Sequence, residues 1–441
     1  MEKKWIASFS LLLCMSLLGI FSYSSVSEVP LGGEIVAGDV AWMLTATCLV
    51  FLMTPGLAFF YGGMVRKNNV ISTMLQSLTS MGVISVLWVV IGFSLSFGDS
   101  IGGFLGNPLT FFMFNNVGES THFHFAYSFP FALFAMFQLK FAIITPALIT
   151  GAFAERIRFS AYLLFISLFS LFIYSPIAHW TWHPDGFLNK LGVLDFAGGA
   201  VVHISAGFAA LAGSLALGKR VNHFPDKSYV PANIPFVLLG TGMLWFGWFG
   251  FNAGSAFGAS GLASLAFVTT NTASSSAMLG WIFFDALLGK KPSALGACIG
   301  AVVGLVAITP AAGFVNVGQS VFIGFSSSIV SNLVVHWKSK STLDDTLDVF
   351  PCHGVGGIFG MLATGIFAKD VGLIYGNSSV FLSHVFALFL VSSFAFFGSY
   401  FLYKITDMII PLRVSKEQEY VGLDISQHGE TLEIEVSGAV N

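Results

Sequence analysis

Charge is what this chain lacks: Asp, Glu, Lys and Arg together make 9% of its 441 residues, where soluble domains carry about 25%. So thin a supply excludes an ordinary water-soluble domain. The net charge of −3 is too small to suggest a nucleic-acid partner. Cysteine is scarce as well, at four with no CxxC pair. Cys14 falls in the N-terminal apolar stretch, and Cys48, Cys298 and Cys352 fall in apolar runs, where packed, buried thiols are expected. No polar stretch long enough for a soluble domain interrupts the apolar runs.

What fills the chain instead is hydrocarbon. Hydrophobic residues make 55% of it, 48 of them Phe, and the mean hydropathy is +0.82. Apolar runs of about 20 residues, each able to cross a hydrocarbon core of about 30 Å, recur along nearly its whole length. The spans must be helical, because each has to satisfy its own backbone polar groups. An all-α integral membrane protein follows, with eleven spans near residues 42–64, 75–97, 129–152, 159–179, 198–217, 231–251, 262–288, 292–312, 315–336, 352–369 and 380–408. Arg66, Lys67, Arg156, Arg158, Lys219, Arg220, Lys227, Lys290, Lys291, Lys338, Lys340, Lys404, Arg413 and Lys416 fall on alternate connections; the other connections carry only Lys190 and Lys369. The positive-inside rule then puts the mature N-terminus outside and the C-terminus in the cytoplasm.

Residues 1–27 have a basic start at Lys3 and Lys4, an apolar stretch and small residues around Ser22 to Ser27. That is the pattern of a cleaved signal peptide, with an uncleaved extra helix as the alternative because no A-x-A site is present. Residues 28–410 form the membrane domain. Residues 98–128, with Asp99 and Glu119 and no basic residue, are expected as a solvated outer loop. Residues 411–441 turn polar and read as a cytoplasmic tail suited to docking a partner.

Two stretches bear the chemistry. "DFAGGAVVHISAG" (Asp195 to Gly207) and "DVFPCHGVGGIFG" (Asp348 to Gly360) each set a histidine among small residues. Ionisable groups at membrane depth mark a site by default. Five spans followed by five more must run in opposite senses, so an inverted repeat would bring His203 and His353, in the fifth and tenth spans, together at the midplane. A facing imidazole pair can share one hydrogen without net charge. Two roles are open to Asp195: capping the start of the fifth span, or steadying a cation at the outer mouth. Asp348, with Asp344 and Asp345, is expected to cap or solvate the tenth span. Trp180 and Trp182 end the fourth span, as an interfacial belt or as a cation-binding face. Phe137 and Phe141 in the third span, with Phe251 and Ser255 at the end of the sixth, stand at the same level. Lys140 must snorkel, pair or be neutral.

At these residues the chain strongly resembles the ammonium transporter (Amt/Mep/Rh) family, in particular its bacterial Amt branch. The likeness runs from "GDVAWMLTATCLVFLMTPGLAFFYGGMVRKNNVIS" through "GAFAERIRFSAYLLF", "DFAGGAVVHISAG", "GWFGFNAGS" and "DVFPCHGVGGIFG" to "EQEYVGLDISQHGE". The resemblance implies the ammonium-transporter fold: eleven transmembrane helices with a five-plus-five inverted repeat, assembled as a homotrimer with a pore in each subunit. It implies that Trp182, Phe141 and Ser255 recruit ammonium (methylammonium as analogue), that Phe141 and Phe251 form a stacked gate, and that His203 and His353 line the pore. Asp195 matches an aspartate held to be structural or to aid deprotonation, and Gln138 matches a position in the same helix as Phe141. A PII-type regulatory protein at the tail is also implied, with Tyr420 and Val421 standing here in place of more acidic positions. No cofactor or metal and no enzyme activity are implied, and the location is a bacterial inner membrane. Two departures stand out. Lys140 adjoins the gate and is expected to face away from the pore, and Trp180 is bulky enough to narrow the vestibule.

The alternative of another class is an ammonium sensor with little transport, signalling through its tail. A membrane enzyme holding a metal on His203 and His353 is poorly served, since two histidines without pore carboxylates make a poor metal shell.

Overall fold

In the computed structural model, residues 3–21, 31–221 and 230–432 are described; Ser22 to Ser27, Lys227 and the last residues of the tail lie outside them. After a helix at Lys3–Phe21, eleven helical runs of 15 residues or more follow among the described residues. They span Ala37–Met64, Lys67–Phe97, Phe131–Phe153, Phe159–Lys190, Gly199–Leu217, Ile234–Gly254, Gly261–Leu287, Ala294–Ile308, Val317–Ser339, Phe350–Phe367 and Ser378–Ile409. Nine are long and apolar enough to cross a membrane. The other two are the seventh, rich in Ser, Thr and Asn, and the eighth, only 15 residues long. The seventh tolerates its hydroxyls because they bond back to carbonyls one turn earlier, as Thr270 does to Ala266 and Thr272 to Val268.

Helix ends depart from the apolar runs wherever polar residues find partners. The second run starts at Lys67 rather than near residue 75, because Asp424 of the tail takes the N–H groups of Ile71 and Ser72. The fourth continues past residue 179 to Lys190, although a break follows Trp182 before a short last turn at Phe187–Lys190.

The fifth and tenth runs carry the inverted repeat. Each opens on a six-residue π-helical segment, Gly199–Ile204 and Phe350–Val355, that contains its histidine. Each segment is capped by a buried aspartate eight residues before that histidine (195 to 203, 345 to 353). Asp195 accepts the N–H groups of Gly198, Gly199, Ala200 and Val201; Asp345 accepts those of Val349 and Phe350. The counterpart of Asp195 is therefore Asp345. Asp348 instead pairs with Lys338 at 2.6 Å. The two runs start at opposite faces and pack reciprocally. A Cβ on Gly207 would lie 2.3 Å from the Gly354 Cα, and one on Gly357 would lie 3.1 Å from the Gly199 carbonyl oxygen. The first approach admits no side chain without a backbone shift, and the second leaves a methyl group little room.

At the tail face the basic residues are structural. Glu155, fully buried, takes Arg66 at 2.8 Å and Arg220 at 3.1 Å, and Arg220 also pairs with Asp344 at 2.9 Å. The buried Arg156 donates to the Asp344 carbonyl and to Thr346. The tail is tied to this face: Arg413 donates to the Leu217 carbonyl, Leu423 N–H donates to Asn69, and the His428 ring meets the Ser72 hydroxyl.

The opposite face corrects the solvated-loop expectation. Residues 98–128 form a small hairpin (Ser100–Ile101 with Leu105–Gly106) and a packed cover. Phe111, His122 and Phe125 are buried in an aromatic cluster with Phe93, Phe97, Phe131 and Phe134. His122 Nδ1 accepts two N–H groups, from His124 and Phe125. Burial, with His124 nearby, lowers its pKa to about 4, so the ring that fastens this loop is neutral near pH 7. Cysteine needs a correction too, since Cys298 and Cys352 are buried but Cys48 is exposed.

Candidate functional site

A cavity of about 250 Å³ opens at the face opposite the tail. Its walls combine aromatic and polar side chains: Phe141, Trp182 and Phe257 with Gln138, Thr181, Asp195 and Ser255. The covering loop contributes His124 and Phe125. Trp182 is held by its indole N–H, which donates to the Asp195 carbonyl at 3.0 Å. Ser255 caps the sixth helix, its hydroxyl donating to the Phe251 carbonyl at 2.8 Å.

Below the cavity the way is shut by rings. Phe141 meets Trp182 edge-on at 5.8 Å and lies over Phe251 at 4.2 Å between centroids, 30° from parallel. Both phenylalanines are buried, at 1% and 0% exposure. Phe251 faces the His203 ring at 6.1 Å, and His203 is sandwiched further by Trp248 at 5.4 Å. Trp248 is fixed through Nε1–H to Thr309 at 2.9 Å.

His203 and His353 come together, Nδ1 to Nδ1, at 3.3 Å, with rings 26° from parallel. One Nδ1 must donate and the other accept, so the two rings hold opposite tautomers. His203 Nε2 is buried without a hydrogen-bond partner among the described residues. The pair lies between the fifth and tenth runs, where their glycines bring the backbones together.

Asp195 serves both structure and site: four backbone bonds hold it at the helix start, and it borders the cavity. Burial pushes its carboxyl up from the ordinary range while those N–H groups pull it back.

Lys140 does turn away. Its Nζ lies 5.0 Å from the centre of the Phe51 ring on the first span, and it does not border the cavity. Trp180 does not narrow the vestibule. Its indole N–H donates to the Phe104 carbonyl at 2.7 Å, and its ring packs on Phe187 and Phe394. On a helix, positions 180 and 182 point about 200° apart, so only one of the two tryptophans can face the cavity. Phe137 buttresses Phe141 edge-on at 5.0 Å rather than lining the cavity. Sequence reasoning missed His124, Thr181 and Asn189 as wall residues. The signal for Thr181 was its place beside Trp182; His124 lies on a loop that has no periodic pattern.

The Ammonium Transporter Family model matches residues 41–433. An ammonium transporter of Bacillus subtilis is 44% identical over 407 residues, covering 89% of this chain and 98% of that protein. Among solved structures, Saccharomyces cerevisiae Mep2 superposes with a TM-score of 0.83 at 34% identity, covering 92% of this chain and 94% of that one. A structure titled Sensor Amt Protein has a TM-score of 0.83 at 30% identity, covering 89% of this chain and 98% of that one.

Proposed function

The chain belongs to the ammonium transporter family, and from that membership we propose that it takes up ammonium at the cavity face, removes its proton there, and conducts ammonia past Phe141 and Phe251 to His203 and His353. The observation that carries this reading is the unbroken series of rings from cavity to histidines: Trp182, Phe141, Phe251, His203, His353.

A hydrated ammonium ion entering the cavity meets the Trp182 and Phe141 faces and the Ser255 hydroxyl. A π face attracts such a cation by about 0.5–2 kcal/mol, enough to gather it without trapping it. Passing the closed phenylalanine stack intact would strip the ion of water with nothing to replace it, which costs many kcal/mol. Giving up the proton removes most of that cost. Neutral ammonia is small enough to slip through when the rings turn. It then reaches a histidine pair that offers both an acceptor and a donor nitrogen, and the proton can be relayed separately. Potassium has no proton to lose and no N–H to donate, so this route rejects it.

Asp195 helps in two ways, by fixing the start of the fifth run and by placing negative charge beside the cavity. The cavity face is external and the tail face cytoplasmic, consistent with the basic residues gathered at the latter. The chain acts in a bacterial inner membrane as a homotrimer, with residues 1–27 as a signal segment. Its tail offers a PII-type regulator a surface already tied to the second run. The likeness to a sensor protein motivates a second reading, a sensor with little flux that signals through the tail. The docked tail fits both, but the continuous ring series favours transport.

The test is the current from purified protein in liposomes on a solid-supported membrane, with ammonium, methylammonium and potassium pulses. An ammonium current, or ammonia flux reported by a pH-sensitive dye, without any partner supports transport. Folded protein with neither signal overturns it in favour of the sensor.

A further inference from the structure

Two residues of the cavity wall each carry a buried oxygen with no hydrogen-bond partner among the described residues. Gln138 Oε1 on the third run and Thr181 Oγ1 on the fourth are buried and make no hydrogen bond among the described residues, and both residues border the cavity. The residues are 4% and 2% exposed. Leaving a buried polar oxygen unpaired costs free energy, so native structures rarely do it without a reason.

Thr181 is the more telling case. Most helical threonines elsewhere among the described residues bond back to a carbonyl in the preceding turn, as Thr145 does to Phe141, Thr241 to Val237, Thr309 to Leu305 and Thr364 to Gly360. Thr181 does not, although it lies on the helix Ser175–Trp182. Its backbone carbonyl is taken by the Asn189 side chain at 3.2 Å, another wall residue.

We propose that Gln138 and Thr181 form a second, hydrogen-accepting wall for the bound ammonium, opposite in chemistry to the aromatic face of Trp182 and Phe141. This rests on the reading that the cavity recruits ammonium. The ion carries four N–H donors, and an aromatic face uses its charge but accepts no strong directional bond from it. Gln138 Oε1 and Thr181 Oγ1 are both covered in this structure; a side-chain rotation brings them to the cavity, where they supply acceptors directly or through one water. Methylammonium keeps three N–H donors, enough for both acceptors, but its methyl group leaves fewer orientations in which both are met, so these acceptors favour ammonium over its methylated analogue.

The experiment measures the concentration dependence of ammonium and methylammonium transport in proteoliposomes for Gln138→Leu, Thr181→Val, the double variant and Thr181→Ser. Losing charge-assisted bonds moves the apparent KM for ammonium up by about fivefold to tenfold in the double variant, with kcat changed less than about twofold. The KM for methylammonium rises less, so the preference narrows. Thr181→Ser, which keeps the hydroxyl, restores the ammonium KM of its parent; a purely structural role for the hydroxyl group would not alter the ratio between the two substrates.

An unchanged ammonium KM in a folded double variant overturns the proposal. Trp182→Leu in the same assay tells the two levels apart. If it raises KM while the double variant does not, the acceptor wall fails and recruitment at the cavity stands. If neither moves KM, the recruitment reading fails and takes the acceptor wall with it.

Discussion

His203 and His353, 150 residues apart in the chain, meet through their Nδ1 atoms at 3.3 Å. The contact forces complementary tautomers, so removing either ring strips its partner of the bond that fixes it. His203→Ala and His353→Ala are each expected to abolish selective ammonia flux while the protein still assembles. Selective flux at the parent rate in either variant would sink the paired role.

The caps of the two half-repeats should show in stability. Asp195→Ala leaves four buried N–H groups without an acceptor, each costing about 1–3 kcal/mol if left unsatisfied. Asp195→Asn keeps one carbonyl oxygen and is expected to lose less. Thermal unfolding in detergent should order them parent, Asn, Ala; equal midpoints for the two variants would contradict the capping role.

Close approach of the fifth and tenth runs depends on two glycines. A methyl group at Gly207 would lie 2.3 Å from Gly354 backbone atoms, which cannot yield as a flexible side chain would. Gly207→Ala is expected to push the runs apart and move the histidines off each other. Flux should fall at least tenfold, and a transition midpoint well below the parent's should accompany it. Parent-like flux would mean that the backbones can separate without cost to the pair.

Lys140, packed over Phe51, does not border the cavity. Lys140→Met keeps the length of the stem and removes the charge. Ammonium KM and kcat are expected to stay within about twofold of the parent, since a charge outside the cavity acts on the ion only through a screened field. A clear gain in ammonium affinity would show that its charge does reach the cavity.

At the tail face, burial alone would raise the Asp344 carboxyl, but Arg156 and Arg220 outweigh it and hold the group well below its ordinary range. A depressed carboxylate contributes stability that is present above its unfolded pKa of about 3.9 and is lost as pH falls toward the folded value. Removing one partner of such a buried pair costs roughly 3–5 kcal/mol. Asp344→Asn should therefore lower the unfolding midpoint at pH 7, with the gap to the parent narrowing below about pH 4. A gap that is constant across that range would assign the loss to packing instead of charge.

Much of the molecule was legible along the chain. Sparse charge and runs of hydrocarbon dictate helices in a membrane, because no other element satisfies its backbone there. The placing of Lys and Arg sorts the connections into two sets, and two histidines among small residues mark the centre. What the sequence could not supply is anything that depends on which residues end up opposite each other. Asp345, and not Asp348, mirrors Asp195, because the capping geometry counts back from the π-helical start and not from the nearest acid. Trp180 turns into the cover while Trp182 turns to the cavity, a choice made by helix phase against neighbours. The loop 98–128 looks solvated by composition, yet its Phe111 and Phe125 are buried in a cluster to which distant helices contribute. The unpartnered oxygens of Gln138 and Thr181 could be recognised only once every neighbour was in place. Local patterning determines the elements because it acts over one helical turn; the site is decided by tertiary packing, since its walls come from runs far apart in the chain.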